Sequence, residues 1–399
     1  MRTIYVLLIC LTGVYAGASD FGIHFSGFVK TDVMFDSRQT VAAREGHYLL
    51  YPVEKKLDPD DEDINAAANL NILAVQTRLK GDITGPDAFG AKTSGRIEAA
   101  FFGTTESDVN GFRLRHAFML LDWDKTDLMI GQFWHPMFVT SVFPGTVSFN
   151  TGAPFQPFSR NPQIRLTRQF GSTDLILAAI EQRDFASAGP QGTGSMYLRN
   201  AAIPNLHAQL QWKRQDMILG VGGDWKMLNP RLETTTGYKN SNRVTSLAAI
   251  GYAKMNLNNL VWKIEGVYGQ NMTDHLMLGG YGVESVDQET GMETYIPTDM
   301  MSAWTDLSTG KTISMGLFAG VTKNLGASED IMAFWGRGSN IDMIYRVSPR
   351  VMWNSGKTRL AAELEYTAAA YGVTQSDGTV DDAEFVGNLR LLLAAYYFF

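Results

Sequence analysis

Gly387-Asn388-Leu389-Arg390-Leu391-Leu392-Leu393-Ala394-Ala395-Tyr396-Tyr397-Phe398-Phe399 alternates on a two-residue period. Leu389, Leu391, Leu393, Ala395, Tyr397 and Phe399 share one parity, while Asn388 and Arg390 fall on the other. Successive side chains of a strand point to opposite faces, so this segment has one apolar and one polar face. The pattern recurs near the other end. Phe21, Ile23, Phe25, Val29, Val33 and Phe35 share a parity, and His24, Ser26, Lys30 and Asp32 take the alternate one. A soluble sandwich turns such an apolar set inward. A membrane barrel turns it toward lipid and the polar set toward the lumen.

The compartment is read from the first residues. Met1-Arg2 is a short positive start, Ile4 to Leu11 is an unbroken apolar run, and small residues follow at Ala16-Gly17-Ala18. That order predicts a secretory signal peptide over 1–18, cut after Ala16 or Ala18, with a single barrel domain over 19–399. Cys10, the only cysteine, would leave with it, which excludes disulfides, thiolate metal sites and cysteine nucleophiles from the mature chain. Across the whole chain 45% of residues are hydrophobic, yet mean hydropathy is −0.10, so apolar and polar residues are finely mixed. No run beyond the signal reaches the roughly 20 apolar residues of a spanning helix. A closed barrel still crosses a membrane, because every backbone group pairs between strands. A formal charge of −7 argues against nucleic acid as a partner.

About sixteen alternating segments are expected. They fall near 21–36, 69–83, 92–103, 112–123, 127–134, 163–170, 174–184, 201–213, 217–228, 244–255, 260–270, 299–307, 311–323, 341–353, 357–370 and 384–399. Short connections rich in Gly, Asn, Asp and Ser, such as Gly85-Pro86-Asp87, Gly171-Ser172-Thr173 and Asn354-Ser355-Gly356, alternate with long ones near 37–68, 135–162, 185–200, 229–243, 271–298, 324–340 and 371–383. The fold class is therefore all-β, a single transmembrane antiparallel barrel with short periplasmic turns and long extracellular loops. Its place is the Gram-negative outer membrane, with lipid and lipopolysaccharide around it. The aromatic end at Tyr397 and Phe399 resembles the signal by which the barrel-assembly machinery recognises its clients, and such residues sit in an interfacial girdle.

One region carries a narrower likeness. Gly131-Gln132-Phe133-Trp134 is followed by His135-Pro136, by Pro144-Gly145-Thr146-Val147-Ser148-Phe149-Asn150, and by Phe158-Ser159-Arg160-Asn161-Pro162-Gln163-Ile164-Arg165. This resembles the DcaP-like porins, in which a Gly-Gln-x-Trp strand end leads into a Pro/Phe-rich loop. Ser26 to Asp32 with Phe35 to Gln39 is similar to porins of the Bacteroidetes type. The resemblance implies a homotrimer, with the third loop folded inward to narrow each pore. The loop's own composition points the same way, since a long stretch rich in Phe, Pro and Gly needs apolar cover. Trp134, Pro136, Pro144, Phe149, Phe158 and Arg160 are the expected constriction residues.

Strand parity also lists the wall. Arg78, Lys80, Arg96, Arg113, Arg115, Arg165, Arg346, Arg350, Arg359 and Arg390 are expected to line the pore, with Lys30, Lys213, Lys226 and Lys263. The acids expected there are Asp32, Asp82, Glu98, Asp224, Glu265, Glu363 and Glu365. A basic wall concentrates anions, so passive diffusion of small hydrophilic, anionic solutes is expected. Dicarboxylates suit the guanidinium forks of Arg113, Arg115 and Arg165.

Other classes fit less well. An enzyme needs an oriented base beside a nucleophile or paired carboxylates. His24, His47, His116, His135, His207 and His275 are scattered without a repeated spacing, so neither catalysis nor a metal site or cofactor is expected. A non-channel barrel, an adhesin or lipid handler, is the alternative; a barrel of this size encloses a channel unless plugged. The acidic run Asp58-Pro59-Asp60-Asp61-Glu62-Asp63 lacks the spacing and glycine of a calcium loop and reads as a solvated surface stretch.

Overall fold

The computed structural model describes residues 21–103 and 108–399, so the expected signal peptide lies outside the described residues. The barrel strands are β1 (Gly22–Asp36), β2 (Asn69–Leu73, resuming as Arg78–Ala88), β3 (Ala91–Phe101), β4 (Phe112–Asp122), β5 (Thr126–Trp134), β6 (Arg160–Phe170), β7 (Thr173–Ile180) and β8 (Asn205–Arg214). They continue as β9 (Met217–Leu228), β10 (Val244–Leu257), β11 (Leu260–Gln270), β12 (Asp299–Thr309), β13 (Ile313–Gly326), β14 (Ile341–Ser355), β15 (Thr358–Thr374) and β16 (Val380–Phe398). Each pairs antiparallel with its sequence neighbour, and both parts of β2 pair with β1. The ring closes where β1 meets β16, from Phe28 opposite Phe398 to Asp36 opposite Arg390. Gly27 and Phe399 exchange backbone hydrogen bonds of 3.2 Å at the end of that seam. The result is the expected closed sixteen-strand barrel, with no free edge to leave backbone groups unpaired in lipid.

Alternation supplies both faces. Leu210, Val221, Leu247, Leu360, Leu391 and Leu393 are exposed on the outer wall, while Lys30, Asp32, Glu98, Arg346, Glu363, Glu365 and Arg390 are buried inside. Tyr397 and Phe399 stand on the outer face, as their parity requires.

The turn expected at Gly85-Pro86-Asp87 lies a few residues later. Ala88 pairs with Ala91 around Phe89 (φ 53°) and Gly90 (φ 73°), a tight hairpin with both central residues left-handed. Pro86, which has no N–H to give, falls where the β2–β3 register skips from Gly85 to Ala88. The segment expected from 201 starts at Asn205, because Met196–Ala201 is helical. The loop expected over 371–383 is mostly strand, as β15 and β16 run on to its tip.

The remaining long loops carry structure of their own. The first holds a hairpin of Thr40–Ala43 with Tyr48–Pro52. Gly279–Val286 pairs on one side with Glu293–Pro297 and on the other with Ala333–Arg337, so two extracellular loops share a small sheet. The apolar core lies within the ring, not between layers. Phe149 stacks on Phe102 (4.5 Å between centroids) and takes the edge of Tyr48 (4.7 Å), while Phe158 packs on Tyr48 (5.4 Å) and Trp134 (4.9 Å). These rings come from strand ends and from the first and third long loops.

Candidate functional site

The loop between β5 and β6 turns into the barrel and touches the wall on many sides. Val147 O accepts from Lys30 Nζ of β1 (3.0 Å), and Phe143 O from Lys263 Nζ of β11 (2.8 Å). Phe155 O accepts from Ser302 Oγ of β12 (2.7 Å), and Ala153 O from Arg346 Nη1 of β14 (2.9 Å). Glu363 of β15 accepts the Val147 N–H and the Ser148 N–H, and the Ser148 hydroxyl lies 3.2 Å from Glu365. Asn150 exchanges two hydrogen bonds of 2.8 Å with the backbone of Leu49 in the first loop. Of the six side chains singled out in this loop and at its base, Pro136, Pro144, Phe149, Phe158 and Arg160 are buried, and Trp134, half-buried, stacks on Phe138 at 3.8 Å. The inward fold leans on β13 at Gly320, where a Cβ would come within 2.6 Å of the Phe155 ring.

Of the ten guanidinium and ammonium groups assigned to the pore, most carry a carboxylate partner. Arg115 and Arg78 share Glu98 (2.7 and 3.4 Å), and Lys80 and Arg96 share Asp82 (2.9 and 2.7 Å). Arg346 meets Glu365 (3.6 Å), Arg350 meets Asp306 (2.7 Å) and Arg390 meets Asp36 (2.6 Å). Arg359 donates to Asn354 (2.7 Å), and Arg165 to Gln163 (2.9 Å) and Trp134 O. Pairing with lumen acids therefore offsets much of the positive charge of the wall. Asp36, Asp306, Asp174 (2.5 Å from Lys213) and Asp184 were missed by the sequence reading. The first three have the inward parity of their strands and were legible in principle. Asp184 shares that parity within the segment expected over 174–184, but the strand ends at Ile180, so the residue lies in a loop and reaches its partners only through the fold.

Asp184 is the centre of the densest charge group. Arg160 at the start of β6 grips it through Nε (2.8 Å) and Nη2 (2.7 Å), Arg113 of β4 through Nη1 (2.9 Å), and Arg44 of the first-loop hairpin stands 3.8 Å away. Burial alone would raise its pKa, but these guanidinium groups outweigh burial and hold the carboxyl at about 2. Beside it lies the pair of Arg115 and Arg78 on Glu98. Arg113 Nε and Nη2, Arg115 Nη1 and Arg160 Nη1 are buried and have no hydrogen-bond acceptor among the described residues.

The histidines are also not as scattered as their numbering implied. His135 at the base of the third loop stands 4.6 Å from His275 and 5.7 Å from His207, centroid to centroid, beside Asp224. Burial holds His135 and His275 below the usual histidine pKa, so both are neutral at pH 7. In the acidic run at 58–63, Asp60, Asp61 and Glu62 are exposed and Asp58 and Asp63 are half-buried; Asp63 binds Arg38 at 3.1 Å and caps a short helical turn.

A closed sixteen-strand barrel with one loop carried into its lumen is the architecture of outer-membrane porins, and that is the class of this protein. Residues 16–243, more than half of the chain, match the family model described as DcaP outer membrane protein, and the chain belongs to that family. It is an integral outer-membrane protein. Its fold is similar to the outer membrane channel DcaP of Acinetobacter baumannii (TM-score 0.70, 15% identity, covering 95% of this chain and 97% of that one). It also resembles the anion-selective porin of Comamonas acidovorans (TM-score 0.57, 11% identity, 95% and 100% covered) and the trimer form of Vibrio cholerae OmpT (TM-score 0.57, 12% identity, 95% and 99% covered). No curated protein sequence matches the chain.

Proposed function

We propose that this porin passes small hydrophilic anions by passive diffusion, with the loop over 135–162 as its constriction. The observation that carries the reading is the group around Asp184 and Glu98. Five guanidinium groups (Arg44, Arg78, Arg113, Arg115, Arg160) face two carboxylates, so among the described residues the local charge is 5 − 2 = +3. At an effective permittivity of about 20 and a distance of about 8 Å, three such charges attract a monoanion by roughly 6 kcal/mol before salt screening. Arg78 and Arg113 keep some exposure, and a guanidinium fork takes a carboxylate bidentately, which favours dicarboxylates. The expected signal peptide over 1–18, assembly through Tyr397 and Phe399, and a homotrimeric state belong to the same reading. Trimerisation is supported by the family likeness and by the trimer form of the Vibrio protein.

The test is planar-bilayer recording across a potassium chloride gradient. A reversal potential of anionic sign and conductance steps in groups of three are expected. A cation-selective reversal potential would overturn the selectivity. No conductance at all, with no liposome swelling in small sugars, would replace the porin reading with a non-channel barrel.

A further inference from the structure

A second polar cluster lies apart from the arginine group. His207 of β8 and Asp224 of β9 are direct partners across that strand pair, and His135 reaches them from the base of the inward loop. Asp224 Oδ1 stands 3.2 Å from His207 Nδ1 and 3.5 Å from His135 Nε2, and the three residues' ligand atoms all lie within 4.8 Å of one another. A tetrahedral zinc site with bonds of about 2.1 Å has ligand-to-ligand edges of about 3.4 Å. All three residues are buried.

The hydrogen bonds around His207 point independently to a cation. Its Nε2 lies 3.1 Å from Gln209 Oε1. That amide is held in place, because Gln209 Nε2 donates to the Tyr252 hydroxyl (2.7 Å), whose proton goes to Gln211 Oε1 (3.1 Å). Gln209 thus offers His207 an acceptor, and Nε2 carries the ring proton. In the neutral ring Nδ1 is then a bare lone pair facing the Asp224 carboxylate oxygen. Two lone pairs at 3.2 Å are satisfied by a positive charge between them, either a second proton or a metal ion. Metal-binding histidines show this polarity, one nitrogen on the ion and the other N–H on a fixed acceptor.

We propose that His135, His207 and Asp224 bind one divalent transition-metal ion of the imidazole-preferring kind, with Zn2+ as the type and a fourth position open to water. Coordination by His135 Nε2 requires its single ring proton to move to Nδ1, which gives up the hydrogen bond that Nδ1 accepts from Met137 N–H (3.2 Å), while Asp224 stays ionised as a ligand. The neighbouring Lys226 does not oppose the ion alone, since Asp274 holds it at 2.6 Å. Bound there, the metal ties the base of the inward loop to the β8–β9 wall.

The experiment uses the full chain in detergent, purified without a polyhistidine tag and stripped with chelator. Co2+ is followed by its visible ligand-field absorption and Zn2+ by calorimetry. One equivalent per chain is expected, with Co2+ bands of a low-coordinate site that Zn2+ bleaches. His207→Gln and Asp224→Asn should each weaken binding at least 100-fold. Gln209→Leu, a change at a positioning residue, should weaken it about 10- to 100-fold, and His24→Gln on the exposed N-terminal part of β1 should leave it unchanged. Heat-modifiable migration reports whether each variant is folded. Absence of saturable binding by the folded wild-type chain overturns the site and leaves an imidazolium–carboxylate pair. Binding that survives both His207→Gln and Asp224→Asn in folded protein overturns it equally.

Discussion

Asp184→Asn removes one negative charge while keeping the side chain's shape, and its effect follows from the geometry. The carboxylate is 4% exposed and joins Arg160 at the end of the inward loop, Arg113 on β4 and Arg44 on the first-loop hairpin. Without the charge, three buried guanidinium groups lose their common counterion. Breaking a buried pair from one side costs about 3–5 kcal/mol, and the retained amide oxygen places this change near 3 kcal/mol. The barrel hydrogen bonds are untouched, so the loss falls on the local opening of the two loops. At 1.4 kcal/mol per decade, amide exchange should accelerate about 100-fold where exchange reports local opening. Hydrogen exchange followed by mass spectrometry resolves this. Peptides covering 135–160 and 44–52 should accelerate, whereas the β15–β16 peptides should not. Loop rates within threefold of wild type would refute the idea that Asp184 holds these loops, as would uniform acceleration across the barrel.

The Asp184 carboxyl also sets an acid limit. Its folded pKa of about 2 lies below the unfolded value of roughly 3.9, so its stabilisation is complete above about pH 4 and is lost as pH falls toward 2. The exchange protection of loop 135–159 attributable to this clamp should therefore hold from pH 7 to 5 and fall between 4 and 2; pH-dependent exchange, corrected for intrinsic rates and compared with Asp184→Asn, checks it. Replacing both Arg113 and Arg115 by Ala removes two of the positive charges near the loop and should lower the anion-to-cation permeability ratio about threefold or more at low salt, read from reversal potentials. Gly320→Ala places a Cβ against the Phe155 ring and should destabilise the inward loop by about 1–3 kcal/mol. Loop exchange measured against wild type tests this, and heat-modifiable barrel migration should stay the same.

The barrel was readable because its rule is local. A two-residue period and turn-forming residues recur along the chain, and neither depends on which strands meet. Pairing chemistry is not local in that sense. Arg390 and Asp36 lie at opposite ends of the sequence and meet only because β1 closes on β16. Arg350 meets Asp306 across β13, a distance no strand parity reveals. The inward course of the third loop was legible from its aromatic content, but the first-loop hairpin that locks onto it through Leu49 and Asn150 was not. Tyr48-Leu49-Leu50-Tyr51 has no polar alternation, and its burial depends on a cavity made by the rest of the chain. His135, His207 and Asp224 were invisible as a set for the same reason.

The aromatic packing of Tyr48, Phe102, Phe149 and Phe158 makes the extracellular half behave as a small water-soluble protein mounted in a ring. The ring is held by backbone pairing and lipid, while its contents are held by apolar burial and ion pairs, so the two halves answer to different solvents and temperatures. Moderate heat or urea should melt the mounted part while the ring stays intact and resistant to dodecyl sulfate. The protein would then have two separate transitions, and its lower one would set the working range of the pore.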